Sequence, residues 1–220
     1  MSNILPDDVL KRVLRISDQQ FTSQRDWIRD VARGVIEEYE DKLNARFSYI
    51  QLRNITFLHN RDYRVTNEDT DSIGGYVLTW IRFYNELRDM KEGTGLQIDN
   101  DDYGNEGTGT DGEFDKNRRY WTRINGGILI HRQSYLASYY NTYEYYRSLR
   151  FTTFGYGLTL DNGAIRSDIQ NNLALIVAER TGYIRSVFLD MHGQVDMESM
   201  KMAIRGAKDN LNRLYESRQL

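Results

Sequence analysis

The chain has 220 residues, 40% of them apolar, and 29 basic against 32 acidic side chains leave a net charge of −3. That length suits one domain, or one domain with a substantial insertion, and the charge balance provides no footprint for tight, sequence-independent nucleic-acid binding. Cysteine is absent, which excludes disulfides, thiolate nucleophiles and cysteine-rich zinc sites; no apolar run approaches the roughly 20 residues that span a bilayer, and the first residues lack the basic and apolar regions of a signal peptide.

In chain order, a short helix is expected from Pro6 to Arg15, because proline suits a first helical position and Asp7 and Asp8 complement the positive helix end. A second helix is expected to begin near Ser23, which has capping-box spacing to Asp26. Ile28, Val31, Ala32, Val35, Tyr39 and Leu43 then recur at helical spacing. Tyr49 to Leu58 reads as a strand whose two apolar phases, Ile50 with Leu52 and Ile55 with Phe57, call for a bulge near Arg53 and Asn54. Tyr63 and Val65 suggest another short strand. A third helix is expected over about Ser72 to Met90, with Ile73, Tyr76, Val77, Trp80, Ile81, Tyr84 and Leu87 as its stripe.

Lys91 to Asn117 breaks all periodicity. Six glycines and eight acids against two lysines make it a long mobile loop on this reading. Trp121 to Ile124, Asn125-Gly126-Gly127 and Ile128 to His131 give a hairpin signal. Tyr135, Tyr139, Tyr143 and Tyr146 fall on one helical face and are candidate subunit contacts. Phe154, Tyr156, Leu158 and Leu160 alternate as in a strand. Asp161-Asn162-Gly163 turns the chain into a helix with a capping box of Ser167 and Gln170 and a stripe running from Ile169 to Met191. A turn at His192-Gly193-Gln194 precedes the last helix, capped by Asp196, with Met200, Ala203, Ile204, Ala207, Leu211 and Leu214 inside; the two helices form an αα-hairpin.

The fold class is therefore α+β: amphipathic helices including a C-terminal αα-hairpin, a small antiparallel β region and a long acidic, glycine-rich loop. One domain is expected over residues 1–220, helical over about 6–47, 72–90 and 164–217, β-rich over about 48–66 and 118–160, with the insertion at 91–117.

No catalytic, cofactor or metal residue is nominated. His59, His131 and His192 are scattered and share no ligand motif. Nucleophile-elbow and phosphate-loop patterns are missing, and Gly155-Tyr156-Gly157 lacks the third glycine of a dinucleotide fingerprint. Asp99, Asp101, Tyr103 and Gly104 imitate the start of a calcium loop, but Thr110 stands where a bidentate glutamate is needed. Asp111, Glu113 and Asp115 are carboxylates in a segment too glycine-rich to frame an acid–base pair. Arg118, Arg119, Arg123, Arg132, Arg147 and Arg150 surround the tyrosines, which keeps a base-stacking alternative in view.

N-terminal helices, a β-rich middle with a long polar insertion, a closing helical hairpin, many tyrosines and no cysteine resemble the adaptor or ring proteins of tailed-phage necks. The resemblance covers most of the chain and matches no signature residue by residue. It implies a non-enzymatic virion component, assembled in the host cytoplasm: a homo-oligomeric ring touching portal and tail proteins, with DNA passing through its lumen and no membrane or cofactor involved. The alternative is a nucleic-acid-binding accessory protein that uses the Tyr/Arg-rich middle.

Overall fold

A computed structural model describes residues 4–71, 76–98, 120–133, 146–160, 165–189 and 192–219. The protein is an α+β mixture of helices and antiparallel sheets. It divides into two compact units: Met1–Ser48 with Thr159–Leu220, and Tyr49–Leu158 between them.

The first unit is helical. Helix α1 (Asp7–Leu14) starts at Pro6 with both aspartates in its first turn, as its sequence predicts. Helix α2 (Asp18–Leu43) begins earlier than the Ser23 expected. Its cap is Ser17, whose hydroxyl accepts from the Gln20 N–H at 3.3 Å while the Gln20 side chain accepts from the Ser17 N–H. Ser23 instead sits inside the helix and donates its hydroxyl to the Gln20 carbonyl. A two-way box outcompetes Ser23 with Asp26 because it satisfies two orphan donors at once.

Helix α3 (Ser167–Thr181) lies at the centre of this unit, packed against α1, α2 and the last helix. Ile169, Leu173, Ala174, Ile176, Val177 and Ala178 are all buried, a near-continuous apolar surface suited to a helix with neighbours on several sides. The box of Ser167 and Gln170 does not form. Arg166 is the cap residue and makes no side-chain cap bond; it pairs with Asp168, while Gln170 donates to the Ile4 carbonyl at 3.0 Å. Nor does the stripe run unbroken to Met191. Gly182 takes φ 78° and ends α3, and α4 (Ile184–Val187) is a single turn. Helix α5 (Met197–Gln219) is capped as expected, the Asp196 carboxylate accepting from the N–H groups of Glu198 and Ser199 at 3.2 and 3.0 Å. The Ser199 side chain first, and then these backbone N–H groups, hold the Asp196 carboxyl below its ordinary range. Met200, Ala207 and Leu211 of α5 are buried, and α5 packs on α3.

The second unit is built from strands. β1 (Ile50–Leu58), β2 (Tyr63–Asp71) and β3 (Tyr76–Phe83) lead through a 3-10 helical turn (Asn85–Asp89) into β4 (Met90–Thr94) and β5 (Gln97–Ile98). β6 (Tyr120–Ile124), β7 (Gly127–Gln133) and β8 (Ser148–Tyr156) complete it. They form two four-stranded antiparallel sheets, one ordered β1-β8-β4 with β5 also on β8, the other β2-β3-β7-β6. The β region is thus larger than the small one expected. Its core holds Phe57, Phe83, Phe151 and Phe154 with ring centroids 4.7 to 6.4 Å apart.

The helix expected over Ser72 to Met90 is replaced by β3 and the 3-10 turn. Thr79, Ile81 and Phe83 alternate as buried positions, and Ile81 and Thr79 pair across to Ile128 and Ile130 of β7. An apolar run this dense satisfies a period of 2 as well as 3.6, and its β-branched and aromatic content favours the strand. The expected loop is also shorter at its start, since β4 and β5 occupy Met90–Ile98; residues 99–117 lie outside the described residues.

The predicted bulge near Arg53 is absent. Arg53 pairs with Thr153 and Ile55 with Phe151, so no residue is inserted. Asn54 takes φ 48° instead, and Gly95, between β4 and β5, takes φ 59°. Both stand opposite Thr152 of β8, and a Cβ on Gly95 would strike its hydroxyl. β8 changes phase at the same line, burying Leu149 and Phe151 on one side of it and Phe154 and Tyr156 on the other. Three neighbouring strands therefore switch faces together, which keeps both apolar phases on one core.

Candidate functional site

The three histidines are not brought together. His59 stacks on Tyr63 at 5.7 Å, His131 lies on β7 opposite Leu78, and His192 is exposed in the turn before α5. Among the described residues, no group of three or more His, Asp or Glu side chains is placed to hold a metal ion. The calcium-like segment and the carboxylates at 111, 113 and 115 lie outside the described residues.

Tyr146 is fully buried in the β unit. Its hydroxyl donates to Thr79 at 3.1 Å, and its carbonyl accepts from the Tyr63 hydroxyl at 2.6 Å. Such a ring is core and presents no surface to a neighbouring subunit or a base; Tyr135, Tyr139 and Tyr143 lie outside the described residues. Of the arginines, Arg123 is half-buried and its guanidinium donates to the Lys91 carbonyl. Arg147 and Arg150 are exposed.

The Gly155-Tyr156-Gly157 pattern has a packing explanation. A Cβ at Gly155 would collide with the Tyr49 hydroxyl and the Glu92 side chain. Tyr49 lies over that bare backbone and donates its phenol to Glu92, which also accepts from Gln51 Nε2 at 2.7 Å. Burial and then the Glu92 carboxylate push the Tyr49 phenol up to about 12, so it remains a protonated donor at neutral pH. This cross-strand cluster joins β1, β4 and β8. Sequence spacing does not reveal it, because its members are up to about a hundred residues apart and only strand register unites them.

Several large apolar side chains of the helical unit are exposed, among them Leu160, Leu189, Met197 and one each on the outer faces of α2 and α5. Trp27 is 46% exposed on α2, beside a shallow depression lined by Thr22, Ser23, Gln24, Arg25 and Asp26. Met202 is 61% exposed on α5. Neither residue belongs to the tyrosine stripe nominated from the sequence. The signal that finds Trp27 is its place off the apolar stripe of α2.

No family model, no curated protein and no solved structure matches this chain.

Proposed function

We propose that the chain is a structural subunit of a tailed-phage neck, present in the virion as a ring of identical copies between portal and tail through which DNA passes. The observation that carries this reading is the division of labour in the chain. Both chain ends build one helical unit, and a sheet-rich unit of contiguous sequence, Tyr49–Leu158, is inserted between them. A ring subunit needs one part that can stand beside identical neighbours and another that can meet a different ring; packed helices serve the first need, and a separate sheet-rich unit serves the second. No described helix is long and apolar enough to cross a membrane, which agrees with a particle component that passes DNA without a bilayer.

Among the described residues, three candidates for other chemistry make structural contacts: Gly155 with the Tyr49 ring, Tyr146 with Thr79, and Arg123 with the Lys91 carbonyl. The last two weaken the nucleic-acid alternative, which needs exposed stacking rings beside free guanidinium groups. The test is co-sedimentation of the purified chain with purified portal rings, together with proteomic analysis of intact particles. A stoichiometric complex and a fixed copy number per particle are expected. Absence from particles and no portal binding overturn the reading, and salt-sensitive binding to single-stranded DNA in their place supports the alternative.

A further inference from the structure

We propose that the solvent faces of α2 and α5 are the two complementary halves of a head-to-tail contact between copies of this chain, α2 of one copy lying against α5 of the next. The proposal rests on the ring reading in taking a second copy as the partner. Both helices belong to the helical unit and turn their inner faces to its core: Phe21, Ile28, Ala32, Val35, Tyr39 and Leu43 on α2, and Met200, Ala207 and Leu211 on α5. Their outer faces are left to solvent.

Each outer face has the same construction. On α2, exposed Trp27 is followed two turns later by Gly34; on α5, exposed Met202 is followed one turn later by Gly206. Nothing lies within 4 Å of a Cβ built on either glycine, and neither has a positive φ. Glycine inside a helix is destabilising relative to alanine, and no turn, close approach or unusual backbone inside the molecule explains these two. A neighbour's side chain seated on the bare backbone does. Each face thus offers an apolar knob and a shallow notch.

Charge then chooses the pairing. The α2 face carries Asp26, Glu37 and Asp41, all exposed and without an ion-pair partner among the described residues. The α5 face carries exposed Lys201 and Arg213, likewise without one, and Arg205, which reaches Asp209 only at 3.7 Å; with Glu198 also exposed there, its basic groups still outnumber its acids, the reverse of α2. A twofold contact of α2 on α2 would bring these carboxylates together, whereas α2 on α5 joins opposite signs. Unlike faces make a heterologous contact, which leaves one free half at each end and therefore propagates until it closes into a ring.

The test uses the full chain and two surface variants, Trp27→Asp and Met202→Asp, with folding checked by circular dichroism and size by sedimentation velocity. The parent is expected to form species larger than a dimer as concentration rises, and each variant alone to stay monomeric. An equimolar mixture of the two retains one good α2 face and one good α5 face, so it is expected to form a dimer and stop there. Gly34→Ala is expected to raise the melting temperature of the monomer while weakening association at least tenfold. Single variants that assemble like the parent, a mixture that stays monomeric, a Gly34→Ala chain with unchanged association, or a parent that is monomeric at every concentration would each overturn the pairing. If a parent ring persists in the variants, the pairing fails and the connector reading stands. If the mixture forms its dimer but the chain is absent from particles, the connector reading fails and the pairing stands.

Discussion

The helical unit and the β unit use glycine in opposite ways, and the contrast separates surface from interior. In the β unit, a Cβ at Gly127 would strike the Ile81 carbonyl, and one at Gly155 the Tyr49 ring. There the missing side chain lets strands and an aromatic ring approach closely. In α2 and α5, Gly34 and Gly206 face open space. The β unit has therefore spent its unusual positions on internal packing, while the helical unit holds some that its own fold does not explain.

The largest expected effect tests whether the β core stands as one cooperative piece. Phe151 is fully buried among Phe57, Phe83, Phe154 and Trp121. Phe151→Ala is expected to cost about 3–5 kcal/mol, read by urea denaturation, with amide exchange in β1, β4 and β8 accelerated first. Equal acceleration in α3 would show that the two units unfold as one, and would break the comparison.

Next in size is the glycine contrast itself. Gly127→Ala is expected to destabilise by roughly 1–3 kcal/mol, as overpacking does, whereas Gly34→Ala is expected to stabilise the monomer by about 0.5–1 kcal/mol. Thermal melts of the two variants should move in opposite directions; a loss of stability in Gly34→Ala would show that the position has an internal role.

Helix caps give a smaller effect and sharpen the same point. Ser17→Ala removes a formed capping box and is expected to cost about 1 kcal/mol. Ser167→Ala should leave stability within about 0.5 kcal/mol, the range of ordinary surface substitutions, because Ser167 makes no cap bond. Chemical denaturation of the pair decides it.

The smallest effect is confined to alkaline solution. Tyr49 has a phenol pKa raised from 10.0 to about 12. Its protonated form is favoured in the folded state, so the stabilisation is complete below pH 10 and is lost as pH rises towards 12. A tyrosinate absorbance titration of the parent against Tyr49→Phe should show one late-titrating phenol in the parent that is missing from the variant. A missing phenol that titrates near 10.0 instead would mean that Glu92 does not hold it.

How much was legible follows from the range of the interactions. Pro6 with Asp7 and Asp8, the Asp196 cap and the Asn125-Gly126 turn are local devices, and they appear where the sequence places them. The inner faces of α2 and α5 were also legible, since a helix with one dry side prints a regular spacing. Ser23 and Ser167 were misread for a shared reason. Several serines in the chain have capping spacing, and the choice among them depends on where the chain enters the helix. The site was less legible than the fold: Tyr146, nominated as a subunit contact, belongs to the core.

By itself, the sequence determined the α+β class, the helical ends of the chain, the hairpin at Asn125 and Gly126 and the lack of any thiol chemistry, because these depend on composition and on residues within a few positions of each other. Tertiary structure alone decided that the run through Trp80 is a strand, since Ile81 and Thr79 needed Ile128 and Ile130 as cross-strand partners. It also decided that Asn54, Thr152 and Gly95 turn three strands at one line, and that Tyr49 meets Glu92 over Gly155. These contacts join residues that are distant in the chain, and strand register, which no local period encodes, is what brings them within reach.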